Sequence, residues 1–190
     1  MKKIKSLLML ITIIIIATVI SGCSSGTGSK NDPLVGTWQH QIQTPVFAKC
    51  IDEVVITKED GKYLMQYFVW KYQDDILIDK NGRIARTPDN KTLVSLKLNR
   101  KIQFQNKHLM EKQGESYVVN VPLNKVIITP NNGKLDIIGI DLSGKVSFEK
   151  KDDNKFKTMI DEHKNTLIAR KKYTPERYSV QIDNSILDKK

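Results

Sequence analysis

From Leu34 onward, short runs of alternating or continuous apolar residues recur, each closed by a turn signal. Val35 to Ile42 is the first, followed by Glu53 to Lys58 and then Lys62 to Tyr72, with Glu59-Asp60-Gly61 between the last two. Further runs cover 76–79, 83–87, 92–98, 102–105, 108–113, 116–121, 125–129, 134–140 and 145–150. Asn-Gly, Asp-Gly and Ser-Gly between such runs are hairpin signals, because glycine supplies the positive φ that tight turns need. Roughly ten strands at this spacing, with no βαβ alternation, predict a mainly β fold, an antiparallel barrel with a β-sandwich as the alternative.

The period then changes. Phe156, Met159, Ile160, His163, Leu167 and Ile168 fall on one face of a helix running from about Asp153 to Lys171. Asp152 or Asp153 can cap its start, Arg170, Lys171 and Lys172 suit the negative end of its dipole, and Pro175 stops it. Tyr178, Val180 and Ile182 alternate afterwards, which predicts one short final strand.

The N-terminus has a different pattern. Lys2, Lys3 and Lys5 precede Leu7 to Ile20, a stretch broken only by Thr12 and Thr18. It is short for a bilayer-spanning helix, which needs about 20 apolar residues, and suits a secretory signal. Ile20-Ser21-Gly22-Cys23 closes it and resembles a bacterial lipobox at all four positions. The resemblance implies a signal peptide over 1–22, cleavage after Gly22 and a lipid-modified Cys23, the palmitate-bearing anchor of an envelope lipoprotein. Residues 23–33 then form the lipidated cysteine and a Gly/Ser-rich tether, and 34–190 a single domain.

Without the signal, 28 basic residues stand against 21 acidic ones on 168 residues, a net charge of +7. Basic and acidic residues are interspersed, which suits a solvated surface; for an exported lipoprotein no nucleic-acid partner is expected. Only Cys50 remains as a second cysteine, too few for an intramolecular disulfide, and it is expected to be a small buried apolar residue.

Leu34-Val35-Gly36-Thr37-Trp38 resembles the Gly-x-Trp opening of lipocalins and fatty-acid-binding proteins, with Gly36 and Trp38 matching. The resemblance implies a calycin-like barrel in which Trp38 closes the bottom and packs on a cationic side chain, with Arg170 or Arg177 as candidates, while Gly36 permits close approach. It also implies eight barrel strands, fewer than the runs counted above. The most apolar run, Lys62 to Tyr72, places Tyr63, Met65, Tyr67 and Val69 on one face and Leu64, Phe68, Trp70 and Tyr72 on the other. A strand apolar on both faces must be covered on both. Tyr63, Met65, Tyr67 and Val69 are therefore candidates to line a ligand cavity, while the opposite face meets the helix.

Catalytic chemistry is not legible. His40, His108 and His163 have no metal-ligand spacing, and His163 is expected to be a satisfied histidine at the core boundary. There is no nucleophile elbow and no P-loop, and Asp79-Lys80-Asn81-Gly82 fails as a calcium loop because Leu77 and Pro88 would fall at ligand positions. No catalytic residue, metal or cofactor is expected. The sequence predicts a lipid-anchored envelope protein that binds a small apolar ligand or lipid, or alternatively one that scaffolds or inhibits another envelope protein. Its place is the outer membrane in a Gram-negative cell, otherwise the outer face of the plasma membrane.

Overall fold

The computed structural model describes residues 32–42, 50–104, 106–122, 124–140 and 144–188. The expected signal peptide, Cys23 and most of the tether lie outside those residues. Among the described residues the elements follow in the order β1 (Gly36–Gln41), β2 (Ile51–Glu59), β3 (Lys62–Ile76), β4 (Thr92–Ile102), β5 (His108–Gln113), β6 (Ser116–Val121), β7 (Asn124–Asn131), β8 (Lys134–Ile138), β9 (Lys145–Lys150), α1 (Asp153–Lys171) and β10 (Tyr178–Asp183), with a 3-10 turn at Ser185–Leu187. All strand pairings and both apolar clusters lie within 33–190, so this part holds its own core.

Eight strands close an antiparallel calycin-like barrel in the order β1-β2-β3-β5-β6-β7-β8-β9, and β9 returns to β1 through Trp38↔Lys150 and Gln39↔Glu149. The sandwich alternative is thereby excluded. The two surplus strands have a simple origin. β3 is fifteen residues long and serves two neighbours. Phe68 to Ile76 pair with β4, whereas Leu64 and Met65 pair with β5. Between the pairs Phe68↔Ile102 and Met65↔His108 β3 advances three residues while its partner advances six, so β4 and β5 run along one side of β3 with a wide bulge between them. β10 then adds to β4 in parallel, from Tyr178↔Thr92 to Asp183↔Lys97.

Three sequence expectations are corrected. Of the runs 76–79 and 83–87, Ile76 ends β3, and the rest are not strands of a sheet but the tip of the β3–β4 ribbon, held by the single bridges Ile78↔Ile84 and Arg86↔Thr92. Ile102 ends β4 instead of opening a strand at 102–105. The interval between the runs 125–129 and 134–140, expected as a turn from Pro130 to Gly133, is shorter: Pro130 pairs with Leu135 inside the β7–β8 ladder, and the turn is Asn132-Gly133, whose φ values of 47° and 77° are those of a two-residue hairpin.

The two faces of β3 build two cores. Met65 and Tyr67 point into the barrel with Trp38, Val54, Ile56, Val119, Ile128, Ile137 and Phe148, and Tyr63 and Val69 pack against them. Trp70 and Tyr72 point outward and pack with Val94, Leu96 and Leu98 beneath Phe156, Met159, Ile160 and Leu167 of α1. The expected helix is present with the expected bounds. Asp152 caps it by accepting from the Lys155 N–H at 2.8 Å. Lys172 ends it in the left-handed region at φ 55°, donating its N–H to the Ala169 carbonyl.

His163 departs from expectation. It is 1% exposed, and its Nε2 accepts the Tyr72 backbone N–H at 2.7 Å, which puts the ring proton of the neutral form on Nδ1. Nδ1 has no acceptor, so the ring is only half satisfied. Burial, with a smaller contribution from the Lys71 charge, pushes the imidazole down to about 4 from 6.5. On the barrel exterior, hydrogen bonds from Lys145 and Asn131 hold Asp136 down to about 2, and those from Lys134 and Lys155 do the same for Glu149.

A histidine whose folded-state value lies below its unfolded one takes up its proton first in the unfolded chain. Stability from His163 is therefore intact above about pH 6.5 and drains away as pH falls toward 4, by about 3 kcal/mol in total. The two carboxylates add a further loss below about 4.5 in the same direction. Urea unfolding at pH 7, 5.5 and 4 measures this. His163→Gln keeps an acceptor for the Tyr72 N–H without titrating, and is expected to flatten the slope between 6.5 and 4. A slope unchanged in that variant contradicts the assignment.

Candidate functional site

Gly36 and Trp38 lie at the seam where the barrel closes. Trp38 is 2% exposed and donates its indole N–H to the Leu34 carbonyl at 3.0 Å, which folds the entering chain across the barrel end. The cation over its ring is Lys150, Nζ 5.1 Å from the centroid, and neither Arg170 nor Arg177 takes that place. Lys150 is also the register partner of Trp38 on β9 and donates to the Pro33 carbonyl at 3.3 Å. Gly36 has φ 143°, and a Cβ there would stand 3.0 Å from Lys150 Cε. One glycine, one indole and one lysine thus join the first and last barrel strands.

The hairpin turns at 60–61, 114–115 and 132–133 share this end of the barrel; Gln41, Ile51, Ile138 and Lys145 lie at the other. Within the barrel, Met65 is inaccessible and Tyr67 is 5% exposed, while Tyr63 and Val69 are partly buried. Ile128, Ile137 and Phe148 across from them are also inaccessible. An internal void large enough for water would give these side chains accessible area, so side chains fill the barrel at this level. The buried polar pair of the interior, Tyr67 Oη donating to Asp52 Oδ1 at 2.7 Å, was not legible in the sequence.

A second polar group lies on the outer face, beneath α1. Glu53 is 2% exposed and accepts from Arg100 through Nε at 2.8 Å and Nη2 at 2.6 Å, while Gln39 Nε2 donates to its other oxygen at 2.7 Å. The guanidinium lies over the Phe68 ring at 3.4 Å. Residues 39, 53 and 100 are distant in sequence, and the β1–β2, β2–β3 and β3–β4 registers bring them together.

The three histidines are apart. His40 Nδ1 donates to the Ser147 carbonyl at 3.1 Å, His108 meets the edge of Phe104 at 5.5 Å, and His163 lies under α1. Among the described residues no three His, Cys, Asp or Glu side chains gather as metal ligands, and no helix is long and apolar enough to cross a membrane. Cys50 is half-buried, less hidden than expected, and burial raises its thiol above the usual range.

Removing the close approach tests the seam. Gly36→Ala places an L side chain at a strained φ and is expected to lower stability by about 1–3 kcal/mol. Lys150→Met keeps the stem and loses the charge, costing no more than about 1 kcal/mol. Urea midpoints measure both, and a Gly36→Ala midpoint equal to wild type contradicts the role given to that glycine.

No protein-family model, no curated protein and no solved structure matches this chain significantly.

Proposed function

We propose that the mature chain is a lipid-anchored protein of the cell envelope whose calycin-like barrel binds a small apolar ligand. The observation that carries the reading is the closed barrel with an apolar inner wall, to which β3 contributes Tyr63, Met65, Tyr67 and Val69. Because side chains fill the level of Met65 and Phe148, a ligand would occupy the barrel end beside Val69 and Phe104. The Tyr67–Asp52 pair marks the polar boundary of that region. The reading assigns the chain no catalytic residue. Native mass spectrometry of residues 24–190 purified from cells, with lipid extraction, tests it: a bound molecule that an apolar competitor displaces is expected, and an empty barrel that takes up none sinks the reading.

A protein partner is the second reading. It is favoured by Ile76, Ile78 and Ile84, which are 47%, 58% and 49% exposed together at the tip of the β3–β4 ribbon. Crosslinking in intact cells that captures one dominant protein, lost in Ile78→Asp, would favour it over the first.

The anchor rests on Cys23, which lies outside the described residues. Cys23→Ser removes the sulfur that would be alkylated. The variant is expected to keep residues 1–22, migrate as the larger precursor and fail to incorporate labelled palmitate. Normal processing, or label retained in the variant, overturns the lipoprotein assignment.

A further inference from the structure

The outer face of the sheet carries a groove of about 520 Å³, separate from the barrel interior and within the usual size of small-molecule sites. Its floor is Phe68 and Trp70 of β3 with Arg100 and Ile102 of β4. Lys151, at the entrance to α1, and Leu187, in the 3-10 turn, stand on its sides.

The polar groups of this groove are mostly donors. Arg100 gives Nε and Nη2 to Glu53, and its remaining N–H groups have no acceptor among the described residues; its side chain is 32% exposed. Trp70 is 93% buried, yet its indole N–H also has no acceptor. Lys151 Nζ lies 4.7 Å over the Phe156 ring, and the nearest carboxylate, Asp153 at 3.5 Å, is 93% exposed and screened by water. The one carboxylate in the groove, Glu53, is committed to Gln39 and Arg100. Two cations against one anion leave a positive excess. Around these donors the surface is apolar, with Ile102 and Leu187 54% and 41% exposed.

A buried donor without an acceptor is costly, and stacking on Phe68 holds the Arg100 guanidinium in the groove wall. We infer that this groove binds an anionic amphiphile, with the headgroup accepting from Arg100 and Lys151 beside the Trp70 indole and the hydrocarbon chain lying over Phe68, Ile102 and Leu187. A cationic or purely apolar molecule would leave those donors unanswered. The site does not require the barrel to hold a ligand. The headgroup chemistry is the same in a free alkyl carboxylate or phosphate and in a membrane phospholipid.

The chain has two tryptophans, so the two indole N–H signals in a ¹⁵N spectrum report separately on groove and barrel. Residues 24–190 are titrated with dodecyl phosphate and with dodecanoate below their micelle concentrations, and with dodecyltrimethylammonium as the cationic control. The Trp70 signal is expected to shift saturably with both anions, while Trp38, bonded to Leu34, does not respond. Lys151→Gln and Leu187→Asp, both on the surface, are each expected to weaken binding about tenfold with the spectrum otherwise unchanged. Sedimentation with phosphatidylglycerol but not phosphatidylcholine vesicles, lost in the same variants, assigns the amphiphile to the membrane; binding of the soluble anions without sedimentation assigns it to a free lipid. A silent Trp70 signal, equal binding of the cationic control, or a response confined to Trp38 overturns the inference. The last of these would still support a ligand inside the barrel.

Discussion

Neither face of β3 can be left in water. Over Tyr63 to Tyr72 almost every residue is large and apolar, so one side must close into a core and the other must find a cover. The first requirement produces the barrel: Met65 and Tyr67 turn inward, and the near half of β3 passes its free edge to β5. The second recruits α1, whose Phe156 meets Trp70 edge-on at 5.1 Å and whose His163 faces Tyr72. A strand confined to the barrel would need only half this length. The additional residues, paired to β4, make the shelf on which helix and final strand rest.

Closure is a separate problem, and it is met locally. The β3–β5 seam has only two register pairs, and the β1–β9 seam likewise two. Short ladders contribute little by themselves, so each seam is reinforced by side chains. At β1–β9 the indole of Trp38 ties down Leu34 and lies under Lys150, with Gly36 clearing the way. At β3–β5, Tyr67 and Phe104 pack at 5.3 Å across the bulge.

Where the signal was periodic or complete within a few residues, it was legible. Helix bounds followed from the 3.6 period, an aspartate before it and Pro175 after it; the Asp60-Gly61 turn followed from its dipeptide. Gly36 and Trp38 were visible as a motif, but their partner Lys150 was not, because it is set by the β1–β9 register, more than a hundred residues away in sequence. The same limit hid the Glu53–Arg100–Gln39 group and the joining of β4 and β5 along one strand. Three extra residues have no composition of their own, so nothing local showed that the strands β4 and β5 share one edge of β3.

The polar groups buried under the helix have a mechanical consequence. Gln39 Oε1, Trp70 Nε1 and His163 Nδ1 are buried without partners, and all three belong to the layer between sheet and helix. At about 1–3 kcal/mol each, their combined cost is comparable to a sizeable share of a domain's net stability. The barrel side is covered by a closed ring of strands; the helix side is covered by one helix, tied at its ends by Asp152 and by the Tyr173 hydroxyl donating to Asp74 at 2.6 Å. The helix layer is therefore the less stable half and the one whose opening costs least. A fold built only for rigidity would have placed apolar side chains at Glu53 and His163. Keeping donors and charges there, beside Arg100 and Trp70, spends stability in the layer under the helix that an apolar contact would have kept.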